Sequence, residues 1–174
     1  KLGVSRPSLR EALIALEIGG QVEIRMGSGV YVREASEDAA GTVGALGDSP
    51  SELMQARATI EGSVVMLATA HMTAALLDRL RRAIERMRRF AAAGKSPVEA
   101  DRQFHMLIAE AAGNSVLSRY VGELFDSRHD PIAAAMRDHT ESAQTWTAAV
   151  HEHEAVLKAL QAGDPIAAQT AMRA

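Results

Sequence analysis

A chain of 174 residues, 47% hydrophobic but only 3% aromatic, can hold one full core plus a smaller unit, and its wealth of Ala, Leu and Met favours helix over sheet. The absence of cysteine excludes disulfides, thiol nucleophiles and thiolate metal sites together, so any metal must be held by His and carboxylate. The formal charge of -3 argues against a chain coated in nucleic acid but leaves room for a local basic patch. No stretch approaches the ~20 uncharged apolar residues of a membrane span and no signal-peptide succession is present, so the sequence reads as cytoplasmic with no membrane partner. The opening Lys1-Leu2-Gly3-Val4-Ser5 reads as the tail of an element already in progress, and the chain is expected to be truncated at its start.

In chain order, Ser5 is an N-cap, Pro7 suits a first helical turn, and Leu9, Leu13 and Leu16 recur at helical spacing until Gly19-Gly20. Arg6 and Arg10 stand four apart on the polar face of that helix, beside Ser5 and Ser8. Two alternating runs, Val22–Arg25 and Val30–Arg33, then flank Met26-Gly27-Ser28-Gly29 and predict a β-hairpin. A short helix followed by a Gly-tipped hairpin is the second half of a winged helix-turn-helix, with the helix in the major groove and the wing on the backbone. The planar fork of Arg matches the O6 and N7 edge of guanine, and Ser suits phosphates. On periodicity alone, a helix-hairpin segment with two solvated arginines is an equal reading.

Glu34 to Asp48 is rich in Ala, Gly, Ser and acidic residues and reads as a linker. Helices fill the rest. One runs from Ser51 to about His71, one from Thr73 to Gly94, one from Ser96-Pro97 to Gly113-Asn114, and one from Ser115. A shorter one starts at Pro131, a long one runs from Ser142 to Gly163, and Asp164-Pro165 caps the last. The expected fold is mainly α, a partial winged helix-turn-helix followed by an all-α bundle of six or seven helices. The expected domains are 1–34, a linker 35–49, and a ligand-binding domain 50–174.

Three polar residues fall on apolar stripes of that bundle. Asp101 and His105 are four apart and share a face with Ile108 and Ala112, while His153 lies among Trp146, Val150, Leu157 and Leu160. The three can converge on a divalent transition metal, Zn, Ni, Mn or Fe by donor type, although a lone inward His is more often a hydrogen-bonded core residue. Arg57 stands on a stripe with Leu53, Ile60, Val64 and Leu67 and needs an anion. Glu61, one turn on, would make an intrahelical pair; the alternative is a bidentate clamp on a small carboxylate effector. Arg128, on a comparable stripe with Leu117, Val121 and Leu124, is a weaker candidate for that role. The arginines at 79, 81, 82, 86, 88 and 89 read as a solvated outer face over Leu80, Ile84 and Met87.

Residues Leu2 to Leu13 and Gly20 to Val32 closely resemble the GntR family of bacterial regulators, nearly without gaps. Arg57-Ala58-Thr59-Ile60-Glu61, Asp101-Arg102-Gln103-Phe104-His105, Ala112-Gly113-Asn114, and His153 with Ala159-Leu160-Gln161-Ala162-Gly163-Asp164 resemble the effector domain of its fatty-acid-regulator subfamily, the FCD type. The resemblance implies operator contacts at Ser5, Arg6, Ser8 and Arg10, and a wing tip at Gly27 to Gly29 in the minor groove. It implies two further helices ahead of Lys1. It also implies a metal held by one Asp and three His, of which Asp101, His105 and His153 match three and the fourth falls one residue beyond Ala174. Zn and Ni head the metal candidates. The expected function is a homodimeric repressor on palindromic double-stranded operator DNA, released by a small organic acid bound near the metal. Two rival readings stay open: a metal-dependent hydrolase or lyase, and a metal sensor in which the ion is the signal.

Overall fold

A computed structural model describes residues 3–25, 27–33 and 47–174. Most of the expected linker, residues 34–46, and Met26 of the expected turn lie outside the described residues. Within them the elements are helix α1 (Arg6–Ile18), strands β1 (Val22–Arg25) and β2 (Gly29–Val32), then α2 (Pro50–Thr69), α3 (Ala74–Ala92), α4 (Val98–Ala111) and α5 (Ser115–Asp126). A single 3-10 turn (Ser127–His129) leads to α6 (Pro131–Thr140), α7 (Ala143–Ala162) and α8 (Pro165–Met172). No helix among the described residues is long and apolar enough to cross a membrane. The chain divides into two compact units, residues 1–54 with 126–140, and 55–125 with 141–174. In this division α6 groups with the N-terminal segment.

In the first unit the Ser5 hydroxyl accepts from the Ser8 amide and caps α1, with Pro7 in the first turn. The strands pair antiparallel, Val22 opposite Val32 and Arg25 opposite Gly29. Gly27 turns between them at φ +72°, a conformation that L side chains rarely adopt. Glu17 ties helix to hairpin by accepting from the Ile24 amide at 2.8 Å. The buried stripe of α1 is not the expected one. Ile14 is buried with Ile132 of α6, while Leu9 and Leu16 each remain 38% exposed, since the face that meets α6 is rotated away from them. Glu11 is buried on that helix and accepts from Ser49 Oγ and the Ser51 amide, both at 2.9 Å, at the start of α2.

The second unit is helix packed on helix. Leu80, Ala83, Ile84 and Met87 form the inner face of α3, which packs against α4 and α7, and α8 folds back on α7. The α3 arginines lie outside this core: Arg79, Arg81, Arg82, Arg88 and Arg89 are exposed and Arg86 is half-buried. Arg81 pairs with Asp78, and Arg88 with Glu85 and Glu154. Gly113 ends the α4 segment at φ +70°, and the Asn114 carboxamide oxygen accepts from the Val116 and Leu117 amides to start α5. A capping box at Ser142 and Thr145 starts α7, and Asp164 caps α8. At Gly62 of α2 an added Cβ would lie 2.7 Å from Cγ of the Arg173 side chain, which would have to shift.

Leu80 is wholly buried at the centre of this packing, and Leu80→Ala should destabilise the unit by about 2–5 kcal/mol, the cost of lost transfer energy plus a residual cavity. Urea unfolding followed by circular dichroism measures it, and a loss below about 1 kcal/mol would place the core elsewhere.

Candidate metal centre and its charged neighbours

Helical periodicity brings the three expected donors inward. Asp101 and His105 sit one turn apart on the buried face of α4, His153 sits on the buried face of α7, and all three are no more than 8% exposed. Their donor atoms lie within 4.8 Å of one another. Asp101 Oδ1 is 2.9 Å from His153 Nε2 and 3.4 Å from His105 Nε2, and the two Nε2 atoms are 3.2 Å apart. Phe104, fully buried, walls the site with its ring centroid 4.4 Å from that of His153, and Phe125 stands 5.7 Å from His105.

Both imidazoles are engaged behind the cluster. His153 Nδ1 donates to the Ala149 carbonyl at 2.7 Å, and His105 Nδ1 lies against Glu61 Oε2 of α2. The two Nε2 atoms and a carboxylate oxygen thus crowd around one point, an arrangement that repels itself unless a positive charge occupies the centre. A divalent cation meets that requirement, and the backing of each imidazole by a carbonyl or carboxylate is the outer shell that metal-binding histidines use. The donor set of two imidazoles and one carboxylate fits a borderline transition ion such as Zn or Ni.

Without an ion, a proton serves. Burial disfavours charge on His105, but the charge of Glu61 and hydrogen bonds to Asp101 and Glu61 outweigh it and raise the imidazole from 6.5 to about 9. Burial likewise opposes charge on Glu61, yet the charge and hydrogen bond of His105, then those of Arg57, bring it from 4.5 down to about 2. Asp101, against its own burial, is held well below the usual carboxylate range by hydrogen bonds from His105 and His153.

Glu61 is the residue that sequence reasoning undervalued. It was expected only as a partner for Arg57, and it does accept from Arg57 Nε at 2.7 Å, so that intrahelical pair exists. Its second oxygen, however, lies against His105 of the Asp101-His105-His153 cluster. The signal was its position one turn after Arg57, but the expected stripe ran through Leu67, which is 50% exposed. The buried face of α2 instead runs through Glu61, Val64, Val65 and Ala68. Arg57 is itself mostly buried, its side chain 15% exposed and its guanidinium 4.4 Å from the Phe125 ring centroid. Arg128 does not continue the α5 stripe. The helix ends at Asp126, and Arg128 sits in the 3-10 turn that belongs to the other compact unit. There its carbonyl accepts from Arg137 Nη1 at 3.1 Å.

In the N-terminal unit Ser5, Arg6, Ser8 and Arg10 are exposed on the first turns of α1, and Gly27 and Gly29 are exposed at the hairpin tip. Arg25 stacks over the Tyr31 ring at 4.6 Å and Ser28 Oγ meets Tyr31 OH at 2.8 Å, which stiffens the hairpin behind that tip.

Residues 52–174 match the family model of the FCD domain, and residues 1–32 match that of bacterial regulatory proteins of the gntR family. The chain belongs to the gntR family, with an FCD domain. Among its relatives, the Exu regulon transcriptional regulator of Escherichia coli K12 is 34% identical over 176 residues, covering 97% of this chain and 66% of that protein. The Uxu operon transcriptional regulator of the same strain is 33% identical over 178 residues, covering 98% of this chain and 69% of that protein. The gntR-family chain thus spans about two thirds of the length of these relatives. Among solved structures, E. coli McbR/YncC superposes with a TM-score of 0.62 over 93% of this chain and 76% of that one; at 18% identity it speaks for the fold alone.

The pKa shifts fix the sign of a pH effect on metal-free protein. The raised His105 contributes stability below pH 6.5 that is lost as pH rises through about 9, and the depressed Glu61 contributes above pH 4.5 and loses it toward pH 2. Chelator-treated protein should therefore melt at lower temperature at pH 9 than at pH 6.5, and His105→Gln should flatten this slope. A wild-type profile as flat as that of the variant would mean the cluster holds no such proton.

Proposed function

We propose that this chain is part of a homodimeric transcription repressor that binds double-stranded operator DNA through α1 and the β1-β2 hairpin and releases it when a small carboxylate effector enters the FCD domain. The observation that carries the reading is a buried, charged cluster of Asp101, His105, His153, Glu61 and Arg57 inside an otherwise apolar helical unit, in a chain whose first 32 residues match the gntR model. Such a cluster is costly to bury and serves recognition of a charged ligand.

Arg6 and Arg10 are exposed on α1, where a guanidinium fork suits base edges, and Ser5 and Ser8 beside them suit phosphates. Gly27 and Gly29 give a hairpin tip slim enough for the minor groove. In the FCD domain Asp101, His105 and His153 would hold Zn or Ni. Bound there, the ion supplies a Lewis-acidic anchor for a carboxylate oxygen. Arg57 supplies the counter-charge. Effector binding then shifts the population between operator-competent and incompetent dimers. The relatives named above are transcriptional regulators, which favours regulation over the hydrolase or lyase reading.

Elemental analysis of full-length protein purified without a chelating tag should find close to one divalent transition ion per chain, and His105→Ala combined with His153→Ala should remove it. Metal-free wild type that still responds fully to an effector would take the site out of the mechanism.

Operator binding tests the rest. Arg6→Ala should weaken binding of full-length protein by about 1–3 kcal/mol and relax sequence preference, as loss of a base contact does. Arg57→Met should spare operator affinity in fluorescence anisotropy while abolishing release across a panel of small sugar, hydroxy and amino acids. Release that persists in Arg57→Met would remove the anion clamp, and unchanged operator affinity in Arg6→Ala would remove α1 as the reading helix.

A further inference from the structure

The two oxygens of the Glu61 carboxylate serve two different sites. Oε1 accepts from Arg57 Nε at 2.7 Å, and Oε2 lies against His105 Nδ1, whose ring turns its Nε2 to the Asp101 and His153 donors. Glu61 is 4% exposed, so water does little to disperse its charge, and what one oxygen gives up the other retains. Arg57 is held by Glu61 at Nε and lies over the Phe125 ring at 4.4 Å. Its Nη1 and Nη2 edge has no hydrogen-bond partner among the described residues and is the fork a carboxylate would take.

We infer that Glu61 is a positioning residue that couples anion binding at Arg57 to metal binding at His105. The inference rests on the metal and anion readings proposed above. A carboxylate on the outer edge of Arg57 draws the guanidinium charge toward itself and leaves more negative charge on Glu61. The Oε2 atom then pulls harder on His105 Nδ1–H, and Nε2 becomes a more basic donor. Anion binding therefore tightens metal binding, and metal binding tightens anion binding by the same factor. Glu61 contacts neither the anion edge of Arg57 nor the metal-facing nitrogen of His105, so it acts only through the two residues that it orients.

The test needs zinc alone. Metal-stripped full-length protein is titrated with Zn2+ against a chromogenic chelator as wild type, Glu61→Gln, Arg57→Met and the double variant. A glutamine can accept from one neighbour but cannot accept from both with a full charge, so Glu61→Gln should weaken Zn2+ binding roughly 10–100-fold. Arg57→Met removes the charge that competes for Glu61 and should tighten Zn2+ binding at least about fivefold in the wild-type background, but by less than half that factor in the Glu61→Gln background. Equal tightening in both backgrounds would be long-range charge alone and would overturn the coupling, as would unchanged affinity in Glu61→Gln. Should Glu61→Gln fail to fold, Arg57→Met still decides by proton NMR of the imidazoles. The His105 Nδ1–H resonance should move downfield while that of His153, bonded to the Ala149 carbonyl, stays in place, and a stationary His105 signal overturns the inference. Wild type that takes up no Zn2+ would instead sink the metal reading beneath it. Wild type that binds Zn2+ but gives a flat cycle sinks the coupling alone.

Discussion

A chain of charges buried in an apolar helical unit is the constraint on which the rest of the structure turns. Arg57, Glu61, His105, Asp101 and His153 lie in sequence through space, each within reach of the next. Any one of them left alone in that environment would cost several kcal/mol, so each is stable only because its neighbours are in place. The balance is close. One guanidinium and one imidazolium face two carboxylates, and the raised His105 and lowered Glu61 are two views of the same mutual dependence. A cation other than the proton at the centre satisfies the same condition, which is why the cluster suits a metal and why it is poor as a mere structural core.

Three helices deliver this chain of charges, and a fourth braces two of them. Spacing of four puts Arg57 and Glu61 on one face of α2, and Asp101 and His105 on one face of α4, while α7 contributes His153. The brace is α3, which contributes none of these charges but whose Leu80, Ala83, Ile84 and Met87 fill the space against α4 and α7. Phe104 and Phe125 close the site with apolar rings, which lowers the local dielectric and strengthens every interaction within it. The Arg173 side chain lies over Gly62, next to Glu61 in the chain.

The N-terminal unit is organised differently. Arg6 and Arg10 are exposed on α1, and Glu11, its one buried acid among the described residues, is spent on the beginning of α2 through Ser49 and Ser51. A surface that offers guanidinium forks, hydroxyls and a slim glycine tip is suited to reading a polyanion, whereas an interior that hides matched charges is suited to a small ion.

Much of this was legible in the sequence because it depends on short-range rules. Caps at Ser5, Thr73, Ser142 and Asp164, glycines at 113 and 163, and the Asp101-His105 spacing are local, and the structure has helices beginning and ending where these residues stand. That His153 faces inward was likewise readable from the apolar residues spaced around it on α7. Periodicity says which face is buried but not what it meets. It could not say that α6 would pack on Ile14 rather than on the Leu9-Leu16 stripe, nor that α5 would stop short of Arg128. Least of all could it say that Glu61, which pairs with Arg57 in its own helix, would also reach His105 across from another, because that contact joins residues 44 positions apart and exists only once α2 and α4 are packed. Local hydrogen bonding and hydrophobic spacing determine the helices; only tertiary packing decides which buried charges share a partner, since electrostatic pairing depends on distance through space rather than along the chain.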